Sequence, residues 1–192
     1  MVKRAIALST LALMTLIFVC GSFAADVPKD PKKQTPIGKY VTSLEAYDMW
    51  KANPGKVKII DVRTPEEYVF VGHAAMAVNI PSQLWNGKFD GEKKKFALPE
   101  NPEFEATVQK IAGKDEPILV TCRSGGRSAA AIARLAKAGF TNVYNIVDGF
   151  EGDVVADADS YYNGKRMVNG WKNSPAPWTY ALDPKLVYTL SK

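Results

Sequence analysis

The chain has 192 residues, 46% of them hydrophobic and 23% charged, with 12 prolines. That is ordinary globular composition, enough for one sizeable core and short for two domains. The 25 basic residues outnumber the 20 acidic ones by five, a mild excess that does not point to nucleic acid; the lysines of "KDPKKQ" and "EKKK" read as solvated surface.

Lys3 and Arg4 precede an almost wholly apolar run from Ala5 to Val19, and "GSFAAD" offers small residues before a cleavage after Ala24. Residues 1–24 therefore read as a secretory signal peptide. The run is short for a membrane span, and the bulky Phe18 and Val19 disfavour a lipid anchor at Cys20. The expected product is periplasmic or secreted, with no stable membrane insertion. Cleavage would leave 23 basic against 20 acidic residues, a charge of +3, with Cys122 as the single cysteine. An odd thiol in an exported protein suggests intermolecular pairing or reactivity.

Residues 25–41 are rich in proline and lysine without a period and read as a leader. Thr42 with Glu45, and Thr64 with Pro65 and Glu67, each spell a capping box and predict helices in "TSLEAYDMWKANPG" and from "TPEEY" onward. "VKIIDV", "AVNIP", "EPILVTC" and "NVYNI" are short apolar runs expected to be strands. "PEFEATVQKIAG", opened by Asn101-Pro102, and "RSAAAIARLAKAG", closed by Gly139, predict two more helices. Strands alternating with helices predict an α/β domain on a parallel sheet. Two turn-rich stretches, near 82–100 and 153–168, read as insertions, and 180–192 as a C-terminal tail. The acidic residues Asp148, Glu151, Asp153, Asp157 and Asp159 lack calcium-loop spacing and read as a solvated loop. No metal or cofactor is expected. Trp171, Trp178 and Tyr180 are expected to pack the tail on the domain.

The chemistry concentrates at "TCRSGGRS". In an open α/β sheet, ligands bind at the carboxyl ends of strands, where Cys122 falls. Gly125 and Gly126 let the backbone curl into an anion nest before a helix expected to start near Arg127 or Ser128. The helix N-terminus and the forked donors of Arg123 and Arg127 add positive potential. Such a field favours the thiolate, which is the nucleophile.

"CRSGGRS" resembles the active-site loop of the rhodanese family of sulfurtransferases. "IIDVRTPEEYVFVGHAAMAVNIP", "AGFTNVYNIVDGFEG" and "NGWKNSPAPW" resemble three further blocks of that family in the same order. The resemblance places a rhodanese domain at 42–179, with helices on both faces of the sheet and the catalytic loop at the carboxyl end of a central strand. It implies a persulfide cycle. Cys122 takes sulfur from a small anionic donor such as thiosulfate and passes it to a thiol or protein acceptor. Arg123 and Arg127 bind the donor, backbone N–H groups from Arg123 to Ser128 hold the persulfide, and Ser124 and Ser128 donate further hydrogen bonds. Asp61, at the end of its own strand, is expected to orient a loop arginine. Departures are Asp148, where the family usually has glycine, "HAAMAV", and the two insertions.

Two rivals are weaker. A Cys–His pair would need His73, which lies in a family-like block where histidine reads as structural. A cysteine phosphatase or arsenate reductase needs Cys-x5-Arg, whereas Arg127 gives Cys-x4-Arg. The alternative within the resemblance is a slow or non-catalytic sulfur carrier that exchanges persulfide with a protein partner, the insertions and tail serving as docking surface. Asp61, Arg63 and Glu67 are otherwise explained as a capped turn with a surface ion pair.

Overall fold

The computed structural model describes residues 24–189; the expected signal peptide, Cys20 included, lies outside them apart from its last position. In chain order the elements are a 3-10 turn at Pro31–Lys33, β1 (Tyr40–Val41), α1 (Ser43–Ala52), β2 (Lys58–Asp61), α2 (Pro65–Val71), β3 (His73–Ala74) and β4 (Val78–Asn79). There follow β5 (Phe89–Asp90), β6 (Lys95–Phe96), α3 (Phe104–Ile111), β7 (Ile118–Thr121), α4 (Gly126–Lys137), β8 (Val143–Ile146), a 3-10 turn at Trp171–Asn173 and β9 (Trp178–Thr179). The central sheet has the order β1-β8-β7-β2-β4, and every pairing in it is parallel.

The inner strands are mostly apolar because both of their faces are covered, with the buried polar residues Asp61, Thr121 and Asn145 toward their carboxyl ends. Ile60, Ile118 and Val120 point into a core with Phe104 and Val108 of α3 and Ile132 and Leu135 of α4. Their neighbours Ile59 and Leu119 point the other way, against Ala46 of α1, Phe150 and Trp171. This two-residue alternation puts helices on both faces and brings the end of the middle strand, β7, to the helix α4 that follows it.

Both capping boxes form. Thr42 and Thr64 each accept from the backbone N–H three residues on, and Glu45 and Glu67 each return a carboxylate to the cap N–H. Three local expectations shift. The leader ends in the sheet, since Tyr40 and Val41 align with Asn145 and Ile146 as an edge strand. Asn101 does not cap α3; it is buried, takes the Glu103 N–H at 3.0 Å and donates to the Pro81 carbonyl at 2.9 Å, so the helix begins later. Helix α4 begins at Gly126, earlier than expected.

The stretch near 82–100 carries the antiparallel hairpin β5–β6. The 153–168 stretch closes on itself through bridges of Val154 to Arg166 and Val155 to Asn163. Its acids are dispersed: Asp153 pairs with Lys33 at 2.9 Å, and among the described residues no group of three or more metal-ligating side chains forms. Trp171 is fully buried and donates to the Pro177 carbonyl at 3.0 Å. Trp178 lies on β9, paired with β3, whereas Tyr180 is exposed. No described helix is long and apolar enough to cross a membrane.

Candidate active site

Strand β7 ends at Thr121, so Cys122 is the first residue beyond the sheet, and Gly125 is the last before α4. The thiol is 1% exposed. Its Sγ accepts from the Gly125 N–H at 3.2 Å and lies 3.4 Å from the Ser128 hydroxyl. In the first turn of α4, the N–H groups of Gly126, Arg127 and Ser128 have no acceptor among the described residues. Those orphan donors and the aligned peptide dipoles make the loop a positive cradle around the sulfur.

The cradle is held from behind. The Phe150 N–H donates to the Cys122 carbonyl at 2.7 Å, and the Glu151 and Gly152 N–H groups donate to the Arg123 carbonyl at 2.9 and 3.2 Å. Gly149 lets this turn approach, because a Cβ there would stand 2.6 Å from the Ser124 nitrogen. Asp148 departs from the expected solvated loop: its buried carboxylate accepts from the Ser43 N–H and hydroxyl and from the Gly170 N–H, joining α1 to the far side of the turn. Burial pushes its carboxyl above the ordinary value despite those bonds.

Asn145 was not singled out from sequence. It is fully buried on β8; its Nδ2 donates to the Gly125 carbonyl at 3.1 Å and the Lys33 carbonyl at 2.8 Å, and its Oδ1 lies 2.6 Å from the Ser128 hydroxyl. It ties the loop, α4 and the leader together. Its one sequence signal is an amide inside a strand that must be dry on both faces.

The arginines divide differently from expectation. Arg127 is bound in a fork by Glu67, with both bonds at 2.6 Å, so its charge is already answered. Arg123 is exposed and makes no ion pair among the described residues. Asp61 orients neither. Its carboxylate is taken by Arg63, at 2.6 to 3.0 Å, with both side chains fully buried. The reason is reach: the two side chains leave the same strand end two residues apart, and the guanidinium turns inward over the Phe150 ring, 4.4 Å from its centroid. Burial opposes the Arg63 charge, but Asp61 holds its pKa above the ordinary value. Asp61 thus supports the loop through Arg63 and Phe150. The expected surface ion pair is in fact two pairs, one buried and one reaching the loop.

His73 is buried, with its ring stacked 3.7 Å from that of Tyr68 and its Nδ1 3.1 Å from the Tyr68 carbonyl oxygen. Burial lowers its pKa. No hydrogen bond among the described residues joins it to Cys122.

Glu67 supplies a testable pH dependence. Burial opposes its charge, but the hydrogen bonds and charge of Arg127 outweigh it and hold the carboxyl below its ordinary 4.5. A carboxyl whose pKa falls on folding stabilises the fold above its unfolded value and loses that contribution as pH drops through the folded one. Glu67→Gln is expected to cost about 1–2 kcal/mol at neutral pH, as for a hydrogen bond between charged groups. The difference between the variant and the wild type should be full above the ordinary carboxyl range and shrink as pH falls through the lowered folded pKa of Glu67. Urea unfolding across that range checks this; a difference that persists in acid would mean the pair is not responsible.

A model of the rhodanese-like domain matches residues 45–154. The chain is 39% identical over 93 residues to "Thiosulfate sulfurtransferase 16, chloroplastic" of Arabidopsis thaliana, covering 48% of this chain and 70% of that protein. It is 33% identical over 144 residues to an uncharacterized protein of Rickettsia prowazekii, covering 73% and 96% of the two chains. The crystal structure of Rv0390 from M. tuberculosis superposes with a TM-score of 0.58 at 30% identity, covering 74% of this chain and all of that one. A parallel sheet with a cysteine loop at the end of its middle strand and a match over most of the domain place the chain in the rhodanese-like family.

Proposed function

We propose that the protein is a sulfurtransferase that carries sulfur as a persulfide on Cys122, with thiosulfate or a related sulfane-sulfur anion as donor. The observation that carries this reading is the position of Sγ, 3.2 Å from the Gly125 N–H, at the start of α4, whose first-turn N–H groups have no acceptor among the described residues. Such a cradle stabilises a thiolate and then the anionic outer sulfur of a persulfide.

The cycle is two displacements. The Cys122 thiolate attacks the outer sulfur of thiosulfate; a new S–S bond forms, the old one breaks, and sulfite leaves with the electron pair. An acceptor nucleophile then attacks the outer persulfide sulfur, and that electron pair returns to Cys122 as thiolate. Cyanide as acceptor gives thiocyanate. Starting from the thiolate, neither displacement requires a proton transfer or a cofactor.

Arg123 is the residue we assign to the anionic donor, because it is exposed and makes no ion pair among the described residues. Arg127 contributes to the same wall with its charge shared by Glu67. Ser128, whose single proton can reach Asn145, the Gly125 carbonyl or the sulfur, is free to turn toward the persulfide; Ser124, Gly125 and Gly126 complete the loop. The inorganic-anion reading is preferred to mercaptopyruvate because of the two loop arginines. The apolar run after Lys3 and Arg4 adds that the enzyme works as an exported, periplasmic or secreted protein.

The test uses reduced protein of residues 25–192. Thiosulfate alone should add the mass of one sulfur atom, located by digestion to the peptide bearing Cys122, and cyanide should discharge it as thiocyanate. A reduced, folded protein that neither gains the mass nor turns over would exclude thiosulfate as donor.

A further inference from the structure

The hairpin β5–β6 and helix α2 enclose an open groove of about 980 Å³ that ends at Arg123 and Arg127. That is the upper end of ligand-site sizes and far more than thiosulfate fills. Its walls carry large rings left in water. Phe70 of α2 is 79% exposed, and Trp85 and Phe96, packed edge to face at 5.4 Å, are 45% and 48% exposed. Small inorganic anions have no use for such rings; a chain with apolar side chains does.

The polar groups divide the same way. Two of the lining acids are already answered, Glu67 by Arg127 at 2.6 Å and Asp90 by Lys93 at 3.3 Å. Lys95 and Arg123 line the groove and make no ion pair among the described residues, and Lys88 and Lys94 stand exposed on the same hairpin. The rim therefore favours negative charge. Glu66 is the exception: its Oε2 is buried on the groove wall without a hydrogen-bond partner among the described residues. A buried acceptor without a donor is costly. Thiosulfate cannot supply a donor, whereas a peptide N–H can.

We propose that this groove binds a cysteine-bearing, acidic segment of a partner protein, which receives the sulfur carried on Cys122. The inference rests on the sulfur-transfer reading above and names its acceptor. Rings of the segment lie on Phe70, Trp85 and Phe96; its acids face Lys95 and Arg123, with Lys93, shared with Asp90, adding to the same positive rim; one of its N–H groups meets Glu66. Its thiolate attacks the outer sulfur of the Cys122 persulfide, a new S–S bond forms on the partner, and the electron pair of the broken bond returns to Cys122.

Two arms test it. In the first, Cys122→Ser protein is titrated with an eight-residue peptide of acidic and aromatic residues carrying serine in place of cysteine. A counterpart with lysines for the acids, and phosphatidylglycerol vesicles, serve as rival occupants. Backbone amide NMR shifts report where each binds. The acidic peptide is expected to shift the hairpin and α2 and to bind roughly tenfold tighter than the lysine one. Lys93→Gln/Lys95→Gln should lose about that factor while the hairpin resonances stay dispersed. Lys110→Gln/Lys114→Gln, an equal charge change on exposed residues outside the groove, should not. In the second arm, wild type charged with sulfur is discharged by the cysteine forms of the two peptides, and the acidic form should react roughly tenfold faster. Equal binding of the two peptides, shifts away from the groove, an equal loss in the control pair, or preference for vesicles would each overturn the proposal. Failure of the protein to take up sulfur while the peptide still binds the groove would instead sink the sulfur-transfer reading and leave the docking surface standing.

Discussion

Cys122→Ser is expected to reduce sulfur transfer to the uncatalysed background and to abolish the sulfur adduct, while the protein stays folded. Cys122 is 1% exposed, with its Sγ 3.2 Å from the Gly125 N–H and 3.4 Å from the Ser128 hydroxyl. A serine oxygen is smaller and can keep both partners. The cost to stability is therefore confined to seating a more polar atom that is still hydrogen-bonded, about 1–2 kcal/mol. Chemistry fares differently. The nucleophile is the anion, and a thiol ionises near neutrality, at about 8.5 unperturbed, whereas the cradle's few donors cannot bring an alkyl hydroxyl into that range. Oxygen also forms no stable disulfide-like bond from which sulfur can be handed on. Circular dichroism, thermal unfolding and intact mass after thiosulfate separate the outcomes. A folded variant that still turns over would move the chemistry off Cys122, and an unfolded one would be replaced by Cys122→Ala for the same comparison.

What the sequence disclosed follows the range of the interactions. The capping boxes at Thr42 and Thr64 span three residues, so each is written in one short string. The inner strands are legible because burial on both faces demands short, mostly apolar runs. The loop is legible because thiol, glycines and arginines are contiguous. Partners far apart in the chain are not. Glu67 meets Arg127 across 60 positions, and only the fold, which brings the first turn of α2 within side-chain reach of the first turn of α4, makes that fork; nothing local in the sequence pairs Arg127. The two-residue strand β1 looks like leader until β8, more than 100 positions later, pairs with it. Asp61 and Arg63 are two residues apart in sequence, yet nothing local says that both are buried, since that depends on Phe150 arriving over the guanidinium.

The adjacent glycines of "SGGR" look equivalent in the string, and the structure predicts opposite outcomes for them. Gly125 has φ +95°, and a Cβ there would fall well inside van der Waals contact of the Val147 carbonyl oxygen, a backbone atom with no rotamer to yield. Gly126 has an ordinary helical backbone, and the nearest atom to its Cβ would be the Lys32 carbonyl oxygen at 3.8 Å. Gly125→Ala must therefore strain the left-handed residue, at about 1–3 kcal/mol, and push the loop off the 148–152 turn. The Gly125 N–H is the donor to Sγ and its carbonyl is held by Asn145, so the shift moves the cradle relative to the sulfur. A displacement on the order of 1 Å at a reacting centre costs about 10²-fold, which is the expected fall in kcat/KM for thiosulfate and cyanide. Gly126→Ala should instead hold or raise stability, by up to about 1 kcal/mol, since alanine gives up less backbone freedom than glycine in a helix. It should cost far less activity than its neighbour. Thermal unfolding and steady-state rates on the two variants decide it. Equal losses would mean that the loop tolerates no added methyl anywhere, and that the φ and carbonyl contact at Gly125 are not what shapes the cradle.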